Sequence, residues 1–154
     1  MRRLLIVSTL ALMTLSFSPS PSAAQSIVGP GTARNQGGAV TVQATYLGAA
    51  AMGTVEALRC EVTLDTHSVN LDQYDFKQLA TLQNDRGVAV KPLTFEKKGS
   101  GHHVQQVLSF PAKDEAGKPV LGEGARAVEL VLSDIANVPQ RVLRWEVQFG
   151  GSDG

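Results

Sequence analysis

Along much of this chain apolar and polar residues alternate with period two, the pattern of strands that bury one face and wet the other. Near the C-terminal end Leu143, Trp145, Val147 and Phe149 alternate with Arg144, Glu146 and Gln148. Shortly before them Val128, Leu130 and Leu132 alternate with Ala127, Glu129, Val131 and Ser133. These are two strands, and the shared parity of Trp145 with Leu143 and Val147 points its indole inward. Val40 to Tyr46 alternates with β-branched residues on both faces and predicts a first strand ending at Gly48. A small-residue loop, Gly48 to Gly53, leads to a strand over Leu58 to Thr66, whose inward positions are Leu58, Cys60, Val62 and Leu64. Leu79–Gln83 and Val88–Phe95 flank Asn84-Asp85-Arg86-Gly87, a sequence suited to a tight reversal, and predict a hairpin. Pro92 has no N–H for a ladder, so the second arm is expected at an edge or a bulge. Val104 to Phe110 is the remaining strand.

Between these runs, His67 to Phe76 mixes turn formers with spaced apolar residues and predicts a loop with one helical turn. Lys113 to Gly124 reads as a polar loop. No stretch sustains a 3.6-residue apolar period, and no internal repeat is visible. About seven short strands joined by Gly- and Pro-rich turns predict an all-β fold, an immunoglobulin-like antiparallel β-sandwich over residues 39–150. A closed barrel is the structural alternative.

The first residues carry a different signal. Met1-Arg2-Arg3 is cationic, Leu4–Phe17 is mostly apolar, and Ser22-Ala23-Ala24 presents small residues where a signal peptidase cuts. A signal peptide over residues 1–24 is expected, with cleavage before Gln25. The apolar run is shorter than the roughly 20 residues of a membrane span and contains Ser8, Thr9 and Thr14. No Cys stands at the cleavage site, and the arginines lack the surroundings of a twin-arginine signal. The expected destination is the periplasm or the medium, with no membrane anchor after cleavage. Residues 25–38, rich in Gly and Asn, read as a flexible lead-in, and 151–154 as a tail.

Composition narrows the function. The chain has 154 residues, 43% of them hydrophobic, enough for one domain with a buried core. Its 14 Lys and Arg balance 14 Asp and Glu, so no basic excess exists to displace counterions from a nucleic acid. Cys60 is the one cysteine, which forbids an internal disulfide; on an inward position it reads as a small hydrophobe rather than a nucleophile.

The groups with chemistry to offer are the histidines. Asp65 and His67 are two apart at the end of a strand, and while the strand persists both leave the face opposite to Cys60. His102 and His103 follow Gly99-Ser100-Gly101, and in loop geometry both can turn toward one centre. Three imidazoles and a carboxylate are the ligand types of Zn²⁺ or Cu²⁺, with Asp65 as fourth ligand or as the acid that orients a ring. Copper(I) is disfavoured, because beyond the leader only Met52 and the inward Cys60 are soft ligands. The bland alternative has His67 capping a loop through a backbone hydrogen bond. Asn70, Asp72 and Asp75 supply oxygens without the spacing of a calcium loop, and read as solvated loop acids. Gly99-Ser100-Gly101 lacks the frame of a nucleophile elbow, which leaves a Ser/His/Asp set assembled from separate segments as the hydrolase alternative.

Thr66-His67-Ser68-Val69-Asn70-Leu71, Tyr74-Asp75, Gly101-His102-His103, Leu108-Ser109-Phe110 and Arg144-Trp145 together resemble a group of small exported bacterial proteins of unknown function. The resemblance spans Val40 to Phe149. It implies an immunoglobulin-like sandwich, a bacterial origin and a Thr-His-Ser plus Gly-His-His signature, and it imports no activity. The functional expectation is a non-enzymatic exported protein that binds zinc or copper(II) through His67, His102 and His103 with Asp65. The rival is a structural or protein-interaction module of the bacterial envelope without metal. Strand pairing that sets the Asp65–His67 end beside Gly101–Val104 would favour the first.

Overall fold

In the computed structural model, Ser26–Val28 and residues 31–149 are described, with side chains over residues 31–148. The expected signal peptide and C-terminal tail lie outside the described residues. The strands are β1 (Ser26–Val28), β2 (Thr32–Gly37), β3 (Val40–Met52), β4 (Val55–Thr66), β5 (Ala80–Asn84), β6 (Ala89–Val90), β7 (Thr94–Ser100), β8 (His103–Pro111), β9 (Ala127–Ile135) and β10 (Val138–Phe149). A 3-10 turn at Leu71–Gln73 and one helical turn, α1 (Phe76–Leu79), lie between β4 and β5. Two five-stranded antiparallel sheets result, ordered β1-β10-β9-β5-β6 and β2-β3-β4-β8-β7. The fold is an all-β sandwich, and each sheet keeps two edges, so it is not the closed barrel.

Period-two patterning puts the core where it was expected. Val40, Val42, Ala44, Cys60, Val62, Leu64, Leu108 and Phe110 from one sheet meet Leu82, Leu130, Leu132, Leu143, Trp145 and Val147 from the other. Trp145 is 5% exposed, and its Nε1–H donates to the carbonyl of Gly31 at 3.1 Å, which satisfies the one polar atom it buries. Cys60 is fully buried, and burial pushes its thiol up to about 12, far from a reactive thiolate.

Three departures from the sequence reading share a cause: ladder hydrogen bonds recruit residues whose own preferences are weak. The expected lead-in over residues 25–38 contributes two edge strands, β1 on β10 and β2 on β3. An edge strand needs one partner and little apolar surface, so the Gly- and Asn-rich composition misleads. The expected loop from Gly48 to Gly53 is instead a continuation of β3 to Met52, paired with β4 and turning at Gly53-Thr54. A bulge shifts the register between Tyr46 and Gly48, and Gly48 takes φ 97°, a conformation that glycine alone adopts freely. The single arm expected over Val88–Phe95 splits at buried Pro92: Ala89–Val90 pairs with β5, and Thr94–Ser100 crosses to pair with β8 in the other sheet. Hence the described residues hold ten strands in place of about seven.

Among the described residues one charge sits inside the sandwich. Arg141 shares the inward parity of Leu143 and is 0% exposed. Its Nη1 donates to Val40 O at 3.0 Å and to Asn35 Oδ1 at 3.2 Å, and its Nη2 donates to Gly37 O at 2.7 Å and Ile135 O at 3.3 Å. Burial lowers its proton affinity, and these oxygens, none of them ionised, stand where a counter-ion would be. The guanidinium thereby ties the β2–β3 turn to the end of β9.

Candidate functional site

The site grows from the end of β4. Asp65 lies directly opposite His103 of β8, and one step further the Thr66 N–H donates to His102 O at 3.1 Å. The Asp65 end of β4 and the Gly101–Val104 segment are therefore neighbours. The chain then curls sharply, because the Thr66 hydroxyl donates to Ala39 O at 2.7 Å and accepts from Ser68 N at 3.2 Å and Val69 N at 3.3 Å. Leu71 N–H donates to Gly101 O at 2.8 Å, Gly101 N–H donates to Asp72 Oδ2 at 2.9 Å, and Asp72 also pairs with Lys97. The Lys97 ammonium, and after it the Gly101 N–H, hold the Asp72 carboxyl below the usual carboxylate range. The loop after β4 is thus strapped to the β7–β8 turn. Gly101, at φ 70°, makes that turn possible.

This scaffold positions the imidazoles. His103 Nδ1 lies 2.7 Å from Asp65 Oδ1, on the outer face of the sheet. His102 Nδ1 lies 3.0 Å from Val69 O. A carbonyl and an ionised carboxylate can only accept, so in each neutral ring Nδ1 carries the proton and Nε2 keeps the free lone pair. The His103 side chain is 72% exposed and Asp65 40%, so water reaches both.

Of the four residues singled out by sequence, the structure joins Asp65 with His103 and sets His102 beside them on the turn. His67 is not drawn in. β4 ends at Thr66, so the parity argument that put Asp65 and His67 on one face stops one residue short, and His67 lies exposed on the loop. Among the described residues no group of three or more His, Cys, Asp or Glu is placed to hold a metal ion. The loop acids have local work: Asn70 accepts from Asp72 N, Asp75 accepts from Lys77 N at the start of α1, and Asp72 makes the strap.

Register also makes a row that sequence reasoning missed. Ser100 of β7 is the cross-strand partner of His103, so Asp65, His103 and Ser100 follow one another across three strands. The signal was the two-residue spacing between Ser100 and His103, readable only once Gly101-His102 is known to be a turn. The row lies on an open face, and among the described residues no hydrogen bond joins Ser100 to the ring. Two open depressions of about 400 and 690 Å³ lie elsewhere, one on the β3–β4 tip and one between Val90–Leu93 and Pro111–Ala116, and no histidine lines either. Among the described residues no helix is long and apolar enough to cross a membrane.

Comparison with protein-family models, with curated proteins and with solved structures finds no match for this chain.

Proposed function

We propose that this is an exported, non-enzymatic β-sandwich protein that binds a divalent transition metal, Zn²⁺ or Cu²⁺, through Nε2 of His102 and His103, with Asp65 orienting the His103 ring. One observation carries the reading. Both Nδ1 atoms are engaged by acceptors from neighbouring segments, Asp65 Oδ1 and Val69 O, which leaves both Nε2 atoms as lone-pair donors. Metal-bound imidazoles are commonly oriented in this way, by a carboxylate or a backbone carbonyl on the other nitrogen. Imidazole nitrogen suits zinc and copper(II). Two rings leave the remaining positions to water, so the metal is exchangeable rather than structural. Export is supported by the Met1–Ala24 pattern and by the resemblance to small exported bacterial proteins.

Calorimetric titration of tag-free protein with Zn²⁺ and Cu²⁺ tests this. Binding is expected at about pH 7.5 and is weakened at about pH 5.5, because a protonated ring has no lone pair to give. His102→Ala or His103→Ala removes most of the affinity and leaves the denaturation midpoint in place, and Asp65→Asn weakens binding roughly 10–100-fold. A titration indistinguishable from that of the triple variant lacking His67, His102 and His103 overturns the reading.

A further inference from the structure

The opposite end of the same hairpin presents a surface of another kind. β2 pairs with β3 only as far as Thr32 opposite Thr45. There Gly31, at φ 137°, turns the chain away, and its carbonyl is taken by the indole of Trp145 in the other sheet. β3 runs on to Met52 with β4 on one side and no strand of the described residues on the other. β4 is itself paired to β8 only from Ala57 onward, so the ribbon around Gly53-Thr54 stands clear of the sandwich. On an edge strand alternate N–H and C=O groups face outward, and along Gly48–Met52 of β3 these form an open ladder edge.

The other edges carry the protections that sheet proteins use against pairing. β7 bears Glu96, Lys97 and Lys98, β2 bears Arg34, β1 is only three residues long, and β6 is two residues long with Lys91 and Pro92 next in sequence. The β3 edge has none of these. From Tyr46 through Val55 there is no charged residue and no proline, and Leu47 and Val55 are 47% and 46% exposed. Its one irregularity, the bulge, lies at the root of the ribbon.

We infer that the Gly48–Met52 edge of β3 is a self-association surface, pairing antiparallel with the same edge of a second copy of this chain about a two-fold axis at Ala50. In that register Ala50 faces Ala50 of the second copy, Ala49 faces Ala51, and Gly48 faces Met52. A second copy is the occupant because the edge is self-complementary. An uncharged strand meets itself without repulsion, the alanines leave no bulk between the ladders, and the antiparallel sense places the two sandwiches at opposite ends of the paired ribbons. So short a pairing is far below the roughly 20–30 residues a side of a standard interface, so the dimer is weak and concentration-dependent. This inference is independent of metal uptake, whose residues lie at the other end of β4.

Sedimentation velocity on tag-free protein in excess chelator, from about 10 µM to about 1 mM, tests it. The weight-average mass is expected to rise from one chain toward two, while amide exchange at Gly48–Met52 slows as concentration increases. The double variant Ala49→Lys with Ala51→Lys puts lysines face to face across the axis and should hold the protein monomeric. Both positions are exposed, so the denaturation midpoint stays as in the parent and separates lost pairing from lost folding. Mixing it with the Ala49→Glu, Ala51→Glu double variant should restore dimers. A monomer throughout, even one whose ribbon binds an unrelated strand, overturns the inference, as does a dimer indifferent to both charge variants.

Discussion

The two ends of β4 differ in what holds them. At its Thr66 end nearly every group is tied across segments: the Thr66 hydroxyl to Ala39, Ser68 and Val69, Gly101 to Leu71 and Asp72, and Arg141 to Gly37 and Val40 beside it. At its Val55 end, roughly 36 Å away by strand rise, β4 pairs with the uncharged Gly48–Met52 stretch of β3, whose other side is open among the described residues. The tied end presents fixed lone pairs, as a site for an ion requires. The open end presents backbone and apolar surface, which suits another strand. One hairpin thus presents two kinds of surface, because hydrogen bonds from neighbouring segments pin one end and leave the outer edge of β3 unpaired at the other.

The largest effects should come from the buried anchors that the two sheets share. Trp145→Ala removes a buried indole and the bond that turns Gly31 away from β3, and should cost about 3–5 kcal/mol in chemical denaturation. An unchanged midpoint would mean that the β2 terminus, and with it the open edge, is set by something else. Arg141→Ala leaves Gly37, Val40 and Ile135 carbonyls and the Asn35 amide without their donor; at about 1–3 kcal/mol for an unsatisfied group, with partial rescue by entering water, a loss of about 3 kcal/mol is expected. A loss below 1 kcal/mol would show that the tied end does not depend on this charge.

Smaller changes sharpen the contrast. In the β9–β10 turn Ala136 and Asn137 sit at φ 52° and 60°, and the Ala136 N–H donates to the Tyr74 hydroxyl at 2.9 Å. A left-handed alanine is strained by about 1–2 kcal/mol, so Ala136→Gly should stabilise by about 0.5–1 kcal/mol after the added freedom of the unfolded chain. A destabilised variant would place the strain elsewhere. Acid should act on the strap at the tied end. The Asp72 carboxyl is held low by Lys97 and Gly101, so its contribution is complete above the ordinary carboxylate range near pH 4 and is lost as pH falls through its lowered folded value. Between about pH 5 and pH 2 the parent should therefore lose more stability than Asp72→Asn, and parallel curves would remove the strap from the account. Smallest of all, Ala49→Lys in the open ribbon should change folding stability by less than about 0.5 kcal/mol, which thermal denaturation of the dilute protein will show.

Much of this was legible in the residues, and the reasons can be named. The period-two runs at Leu58–Leu64, Val128–Leu132 and Leu143–Phe149 specify strand, face and inward Trp145 together, since one buried face imposes one parity. Cys60 in the core followed from the same parity. Of the candidate site, the sequence supplied the residue types and the adjacency of two pairs, but strand parity failed at His67 because β4 stops at Thr66.

Alternation acts between neighbours along the chain, so the sequence by itself determined an all-β sandwich, its core face and the histidine-bearing end. Tertiary structure alone decided that Asp65 meets His103 rather than His67, that Thr94–Ser100 leaves the sheet of β6, that Arg141 takes its hydrogen bonds inside the core, and that Gly48–Met52 is a strand with an open edge. Each of these depends on which ladder a segment joins. A ladder bonds backbone to backbone, so the side chains that make up a sequence record it only faintly.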